Sequence, residues 1–114
     1  MSNSDFPPFI KWGQFKSQSQ NEPDVLELQV SDVQTFETTY SVNAKVLQKD
    51  ADGKWTEKIL PLKSHESVNS ILLKEWEKNA RKDLLKAGKK FLLKTWLGKS
   101  KRSDHNIRRF VLEF

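Results

Sequence analysis

The residues best suited to chemistry lie in the last quarter of the chain, which reads FLLKTWLGKSKRSDHNIRRFVLEF from Phe91 to Phe114. Lys94 and Trp96 interrupt an apolar run there, and five further cations follow them: Lys99, Lys101, Arg102, Arg108 and Arg109. An exposed indole ring offers a flat surface for stacking, and Lys and Arg side chains pair with anions. The combination suits a ligand that is both planar and negatively charged.

Charge is divided unevenly along the 114 residues, whose net charge is +5. Residues 1–77 hold 8 Lys and Arg against 12 Asp and Glu, whereas residues 78–114 hold 12 against 3. This asymmetry favours a polyanionic partner, nucleic acid before membrane, since no strongly amphipathic membrane-surface helix accompanies it. The alternative is a solvated basic surface that only aids solubility.

Catalytic signatures are absent from the sequence. His65 and His105 lack the spacing of a zinc site, and the chain has no cysteine, no Gly-x-Ser-x-Gly motif and no Gly-rich phosphate loop. Glu75, Glu77 and Lys78 only approach the Glu-x-Lys pattern of metal-dependent nucleases, and they lie in a helical segment, which is the wrong element. Asp50 and Asp52 lack the further ligands of a calcium loop and are better explained by a turn. We expect a protein that is not an enzyme and uses no metal or cofactor.

Cellular location is indicated only by what the sequence lacks. No apolar run approaches the roughly 18 residues of a membrane span, and the first residues, MSNSDFPPF, lack the basic and apolar regions of a signal peptide. The absence of cysteine is compatible with a reducing compartment. We expect an intracellular, cytoplasmic protein without a membrane partner, and association with a nucleoid is compatible with its charge.

Alternating apolar residues predict the elements that position the basic stretch. Residues 1–24 are expected to form an arm and a polar loop, and residues 25–114 a single domain. Three strands should form a meander: VLELQVSDVQTF, TTYSVNAKVLQ with Tyr40, Val42, Ala44 and Val46 inward, and WTEKILPL after a turn at Asp52-Gly53. A helix should span roughly residues 65–87, with Ser64 as its N-cap and Gly88 as its stop. The segments KFLLKTWLG and NIRRFVLEF should be the last two strands.

The period-2 pattern of these last strands separates an inner from an outer set. Phe91, Leu93, Thr95 and Leu97 should face the core, as should Phe110, Leu112 and Phe114 on the fifth strand. Lys94, Trp96 and Arg109 should then share the outer surface, with Lys99, Lys101, Arg102 and Arg108 at its side. A bulge would invert this assignment and place Trp96 in the core.

The other tryptophans have different expected positions. Trp76 lies on the apolar stripe of the helix and should be core. Trp12, beside Lys11, should either extend the stacking surface or close the end of the domain. Trp55 follows the hairpin turn and faces outward if Ile59 does. Lys11, Trp12 and Trp55 are therefore also candidates for ligand contacts.

The element order β-β-β-α-β-β predicts a mainly β fold with one helix, a five-stranded barrel of the OB type. A helix across an open antiparallel sheet is the alternative. Through DGKW, the helix in SVNSILLKEWEKNARKDLLKAG and the two last strands, the chain resembles small OB-fold single-stranded DNA-binding proteins. The resemblance rests on element order and charge placement. It implies non-catalytic binding of single-stranded DNA in replication, recombination or repair.

Two other functions fit the same pattern. An RNA-binding OB-fold protein would use the same stacking and backbone contacts, although no RNP-type or cold-shock aromatic consensus is present. A protein-interaction adaptor would use the outward aromatics as an interface. The bacterial single-stranded DNA-binding proteins carry a flexible acidic tail that recruits partners, whereas this sequence ends on VLEF. We therefore expect neither that recruiting role nor the associated tetramer, and the oligomeric state stays open.

Overall fold

Five strands and a helix build the domain in a computed structural model that describes residues 7–67, 70–99 and 106–114. A 3-10 turn (Trp12–Gln14) precedes them. The elements are β1 (Asp24–Glu37), β2 (Ser41–Lys49), β3 (Trp55–Ser64), α1 (Ile71–Arg81), β4 (Lys90–Lys99) and β5 (Asn106–Glu113). The prediction of a mainly β fold in the order β-β-β-α-β-β is confirmed.

The strands form one antiparallel sheet in the order β3-β2-β1-β4-β5. The long strand β1 lies at its centre: residues 24–29 pair with β4, and residues 28–37 pair with β2. Register shifts after Val30 and after Asp32 mark a bulged region, which bends and twists a strand. The edge strands are β3 and β5, and the sheet is open between them in its backbone pairing.

The β2–β3 hairpin turns at the predicted Asp52-Gly53 step. Gly53 has a φ of 84°, a conformation that glycine adopts without the steric cost of a side chain. The Asp50 carboxylate accepts hydrogen bonds at 2.9 Å from the backbone N–H groups of both Asp52 and Lys54. Asp50 therefore serves the turn, as its sequence context predicted.

The inner face of the sheet carries the hydrophobic core. On β1 and β2 the alternation is confirmed for Leu26, Leu28, Val30, Ala44 and Val46, all at most 3% exposed. On the last strands the buried residues are Phe91, Leu93, Thr95, Phe110 and Leu112. The period-2 assignment of β4 and β5 is therefore confirmed for these five residues, and it fixes which side of the two strands faces away from the core.

Four of the residues predicted to face the core are not fully buried: Val42 and Leu97 are partly exposed, and Tyr40 and Phe114 are exposed. Tyr40 is 79% exposed because it belongs to the turn between β1 and β2, where its N–H bonds to the Thr38 hydroxyl, rather than to the start of β2. The next residue, Ser41, begins the strand instead. Phe114 is 37% exposed because it follows the last pair of the β4–β5 ladder, although its ring stacks on Phe91 at 5.0 Å between centroids.

The opening between β3 and β5 is covered by two segments. Helix α1 contacts both edge strands, and its buried Trp76 meets the Phe91 ring at 6.3 Å between centroids. The N-terminal segment also lies there, because the Ile10 N–H donates to Ile59 O on β3 at 2.8 Å and the Trp12 ring meets Phe110 on β5 edge-on at 4.9 Å. Residues ahead of β1 therefore help to cover the core.

The helix is shorter than the predicted span of residues 65–87 at both ends. Ser64 is still part of β3, and the N-cap position belongs to Ser70. At the other end Asp83 adopts a φ of 61°, the Leu84 N–H reaches Asn79 O and the Asp83 N–H reaches Ala80 O. These two bonds form a Schellman motif that ends the helix before Gly88.

Gly88 has a separate role in the turn that leads into β4. Its φ is 89°, and its N–H donates to Val30 O at 2.7 Å. Gly88 therefore links the chain to β1, five residues after Asp83, the left-handed residue that ends α1. Val68, which the sequence placed on the helical stripe, lies outside the described residues.

Candidate nucleic-acid interface

One surface of the sheet brings together the outward residues of β4 and β5, and we call it the β4–β5 outer face. On β4 it consists of Lys90, Leu92, Lys94, Trp96 and Gly98, which alternate with the buried set. On β5 it consists of Ile107, Arg109, Val111 and Glu113. The central strand β1 continues it with Val25 and Glu27, the neighbours of Lys94 and Leu92. Strand alternation fixes this surface, because neighbouring residues in register share a face.

Trp96 and Arg109 form the centre of this face. They are directly opposite each other in the β4–β5 register. A Cβ atom at Gly98 would lie 3.3 Å from Arg109 Cγ and 3.7 Å from Trp96 Nε1, so both side chains approach the bare backbone of this glycine. An indole and a guanidinium are thus neighbours on a partly exposed surface. Such a pair can stack on a flat ring and neutralise an anion at the same time.

Lys94 lies next to this pair and is held by a carboxylate. Its Nζ is 2.8 Å from Glu113 Oε2, and both side chains are exposed, by 31% and 48%. An exposed ion pair of this kind contributes only about 0.2 to 1 kcal/mol and is screened by salt. A phosphate can therefore replace Glu113 as the partner of Lys94 at little cost, although Glu113 also repels an approaching anion.

A second aromatic group lies at the start of β4. Lys90 Nζ lies 5.5 Å from the ring centroid of Trp55, which is the first residue of β3. Glu27 on the same face forms an ion pair of 3.4 Å with Lys49, the register partner of Trp55. Trp55 is therefore positioned at the end of the β4–β5 outer face. Ile59, on which its outward position was made conditional, is fully buried.

Arg108 is separate from the outer cations. It faces the inner side of the sheet, where its Nη1 donates to Thr95 Oγ1 at 3.1 Å and its Nη2 to Phe15 O at 2.8 Å. Burial lowers the pKa of Arg108 below its usual value, and the Asp24 carboxylate acts in the opposite direction. Arg108 thus fastens the N-terminal segment to β5, because odd and even residues of a strand face opposite sides.

Trp12 and Lys11 also lie away from the outer face. The Trp12 ring packs against the core beside Phe110 and lines a cavity of about 250 Å³ between the edge strands. Of the two roles considered from sequence, closing the end of the domain matches this position. Lys11 is exposed and directly precedes the 3-10 turn. Neither residue adjoins Trp96 or Arg109 in the sheet register.

The remaining candidates belong to the β4–β5 connection. The backbone of Lys99 pairs with Asn106 at the end of β4. Lys101 and Arg102 lie outside the described residues, so their predicted role stays a prediction.

Two residues with binding capacity escaped the sequence interpretation. Lys90 shares the strand parity of Lys94 and Trp96, so extending the outer set by one step toward the helix would have found it. Tyr40 presents a 79% exposed ring in the β1–β2 turn, whose backbone is held by Thr38 and by the His65 N–H bond to Tyr40 O at 2.9 Å. No Gly or Pro marks this turn, which is why the alternation was carried through it.

Comparisons with protein-family models, curated proteins and solved structures gave no match for this chain. Within the described ranges, no group of three or more His, Asp or Glu side chains is placed to hold a metal ion. The helix in that same part of the chain is neither long nor apolar enough to cross a membrane. The features of this chain that bear on its function are therefore the geometry and charge of the outer face.

Proposed function

We propose that the protein binds single-stranded nucleic acid, with DNA preferred over RNA, and that it does so without catalysis on the β4–β5 outer face. The observation that carries the proposal is the pairing of Trp96 with Arg109 above Gly98, on the same face as Lys90 and Lys94. The preference for DNA rests on the resemblance in element order and charge. The setting it implies is replication, recombination or repair.

The chemistry of binding follows from these four residues. A base stacks on the partly exposed Trp96 ring, a contact that adds about 1 to 3 kcal/mol for each base without regard to sequence. Lys90, Lys94 and Arg109 neutralise phosphates beside it. Each phosphate neutralised on a single strand contributes about −0.7 to the slope of log K against log salt. Three outer-face cations predict a slope near −2, and Lys99, Lys101 and Arg102 would steepen it to about −4.

We also infer that the fold is an OB-like barrel. Its support is the strand order β3-β2-β1-β4-β5, in which β3 and β5 are the edges that a barrel joins, and the helix that contacts both. In that architecture the β4–β5 connection flanks the ligand-binding region. The sequence predicts that Lys99, Lys101 and Arg102 in this connection contact the same strand of nucleic acid.

A titration tests the proposal directly. Oligo-dT should quench tryptophan fluorescence at about 50 mM salt, and the affinity should fall with the slope given above. Oligo-U at equal length should bind more weakly, and duplex DNA more weakly still. Failure of both oligo-dT and oligo-U to bind at low salt would contradict the proposal. Equal affinity for duplex would identify a nonspecific basic surface instead.

A protein-interaction adaptor is the second candidate, and one observation favours it. Val25 is 50% exposed on β1 opposite Lys94, and the outer face also presents Leu92 and Val111 near it. Apolar residues around an aromatic and an arginine are typical of a protein interface. Substituting Val25 by Ser separates the candidates, since it should leave a nucleic-acid affinity almost unchanged but weaken a protein complex.

A further inference from the structure

The groove at the start of β4 is a candidate for a second base-binding position. Its volume is about 400 Å³, and its lining includes Trp55, Lys90, Leu92 and Phe114. Phe114 is exposed by 37% and Trp55 is partly exposed. The groove thus offers aromatic surface, apolar side chains and two lysines in one place, together with the carboxylates of Glu27 and Glu113. An aromatic ring beside a cation is also what Trp96 and Arg109 present at the other end of β4.

Lys90 occupies the face of the Trp55 ring in the structure, with its ammonium 5.5 Å from the ring centroid. At an exposed site such a cation–π contact is weaker than the stacking of a nucleobase on the same ring. A base can therefore take the place of Lys90, and the released ammonium is then free to pair with the adjoining phosphate. In this exchange the base replaces the Lys90 ammonium on the Trp55 ring, and the ammonium gains a contact with the phosphate.

The two aromatic positions are connected by a row of outward residues. Lys90, Leu92, Lys94 and Trp96 alternate along β4, and all four belong to the β4–β5 outer face. Six residues of strand at about 3.3 Å each separate Lys90 from Trp96 by roughly 20 Å. Lys94 lies between the two rings, where it can contact the backbone of a strand that touches both.

We propose that the single strand runs along β4, with one base stacked on Trp96 and another in the Trp55 groove, and this inference rests on the proposed function. A path of about 20 Å corresponds to roughly six nucleotides at the 3.4 Å spacing of stacked bases, and to fewer where bases unstack. The footprint on the described surface is therefore about four to six nucleotides, at the lower end of the range for one OB-type domain.

An oligonucleotide length series tests the path. Fluorescence anisotropy of labelled oligo-dT of 2 to 12 nucleotides should show affinity rising steeply to about six nucleotides and slowly beyond. Trp55→Ala should weaken binding of the six-nucleotide strand about 5- to 150-fold but leave the three-nucleotide strand almost unaffected. Trp55→Phe keeps an aromatic ring and should restore most of the loss. Far-UV circular dichroism and thermal unfolding confirm that each variant is folded.

Lys90→Met provides the charge test, with Lys78→Met on the exposed side of α1 as its matched control. Lys90→Met should reduce the magnitude of the salt slope by about 0.7, the value for one phosphate on a single strand, whereas Lys78→Met should leave it unchanged. Equal slopes for wild type and Lys90→Met would contradict the path.

The possible results distinguish the proposed path along β4 from the proposed binding of single-stranded nucleic acid. Oligo-dT binding that depends on Trp96 but not on Trp55 or Lys90 would overturn the path along β4 and leave single-strand binding at Trp96, Lys94 and Arg109 intact. The absence of any oligo-dT or oligo-U binding by the unmodified protein would overturn both. A folded Trp55→Ala variant with wild-type affinity at every length is thus the decisive contrary result for the path.

Discussion

Substitution of Trp96 by Ala distinguishes two roles for this residue, contact with the ligand and packing in the core, more clearly than any other change. Trp96 is partly exposed on the outer side of β4, whereas Trp76 is 1% exposed and packs inside the sheet. Replacing a buried Trp by Ala typically costs about 3 to 5 kcal/mol of unfolding free energy. A substitution outside the core costs about 1 kcal/mol or less. Trp96→Ala should therefore leave the domain folded.

The expected effect on binding is larger than the effect on stability. Loss of one stacked base removes about 1 to 3 kcal/mol, which is about a 5- to 150-fold fall in affinity for a six-nucleotide oligo-dT. Anisotropy of the labelled oligonucleotide measures affinity without depending on the removed fluorophore, and urea unfolding measures stability. Trp96→Phe is the control, because a smaller ring at the same position should retain most of the affinity.

Two results would refute the reasoning about Trp96. One is a fall in unfolding free energy as large as that of a core tryptophan, which would mean that the outer side of β4 is structural. The other is unchanged affinity in a folded variant, which would mean that bases stack elsewhere on the domain.

Three further changes test the neighbouring residues. Glu113→Gln releases Lys94 from its 2.8 Å ion pair and removes a charge that repels phosphate. The affinity for oligo-dT should therefore rise about two- to fivefold, which corresponds to the energy of an exposed ion pair. A lower affinity would contradict this expectation. Gly98→Ala places a Cβ 3.3 Å from Arg109 Cγ. It should weaken nucleic-acid binding by less than Trp96→Ala does and leave the melting temperature nearly unchanged. Wild-type affinity in this variant would show that the position of Arg109 is not critical. Arg108→Met removes the hydrogen bonds to Phe15 O and Thr95 Oγ1, so it should lower the free energy of unfolding in urea by about 1 to 3 kcal/mol. It should not change the salt dependence of nucleic-acid affinity. A shallower salt dependence would mean that Arg108 contacts the ligand, as the sequence pattern first indicated.

The strands and their faces could be predicted from sequence because side chains alternate between the two sides of a strand. Once one set of residues is assigned to the core, the other set must face outward. Phe91, Leu93 and Thr95 fixed the parity of β4, and Lys94 and Trp96 then had to face the other way. The pairing of Trp96 with Arg109 is a further step that parity alone does not give. It depends on the β4–β5 register, and the connecting sequence KSKRSDHN contains no Asn-Gly or Asp-Gly step from which that register could be predicted.

The helix ends and the N-terminal segment were beyond the same reasoning. Asp83 ends α1 by adopting a left-handed backbone conformation. Glycine adopts this conformation far more readily than aspartate, so the sequence predicted Gly88 as the end of the helix instead. The contacts of Ile10, Trp12 and Phe15 with β3 and β5 depend on the gap between two edge strands, which exists only in the assembled sheet. The bond from Arg108 to Phe15 O could not be predicted for the same reason, since Phe15 is distant along the chain.

Backbone amide mapping by NMR tests the central claim most directly. Titration of the ¹⁵N-labelled protein with a six-nucleotide oligo-dT should shift the amides of residues 90–98 and 107–113 and the indole N–H signals of Trp96 and Trp55. The buried Trp76 indole, which donates to Val33 O at 3.4 Å, should stay in place as the internal reference. Shifts confined to β2 and the Tyr40 turn, or no shifts at saturating oligonucleotide, would contradict the assignment of the β4–β5 outer face as the binding surface.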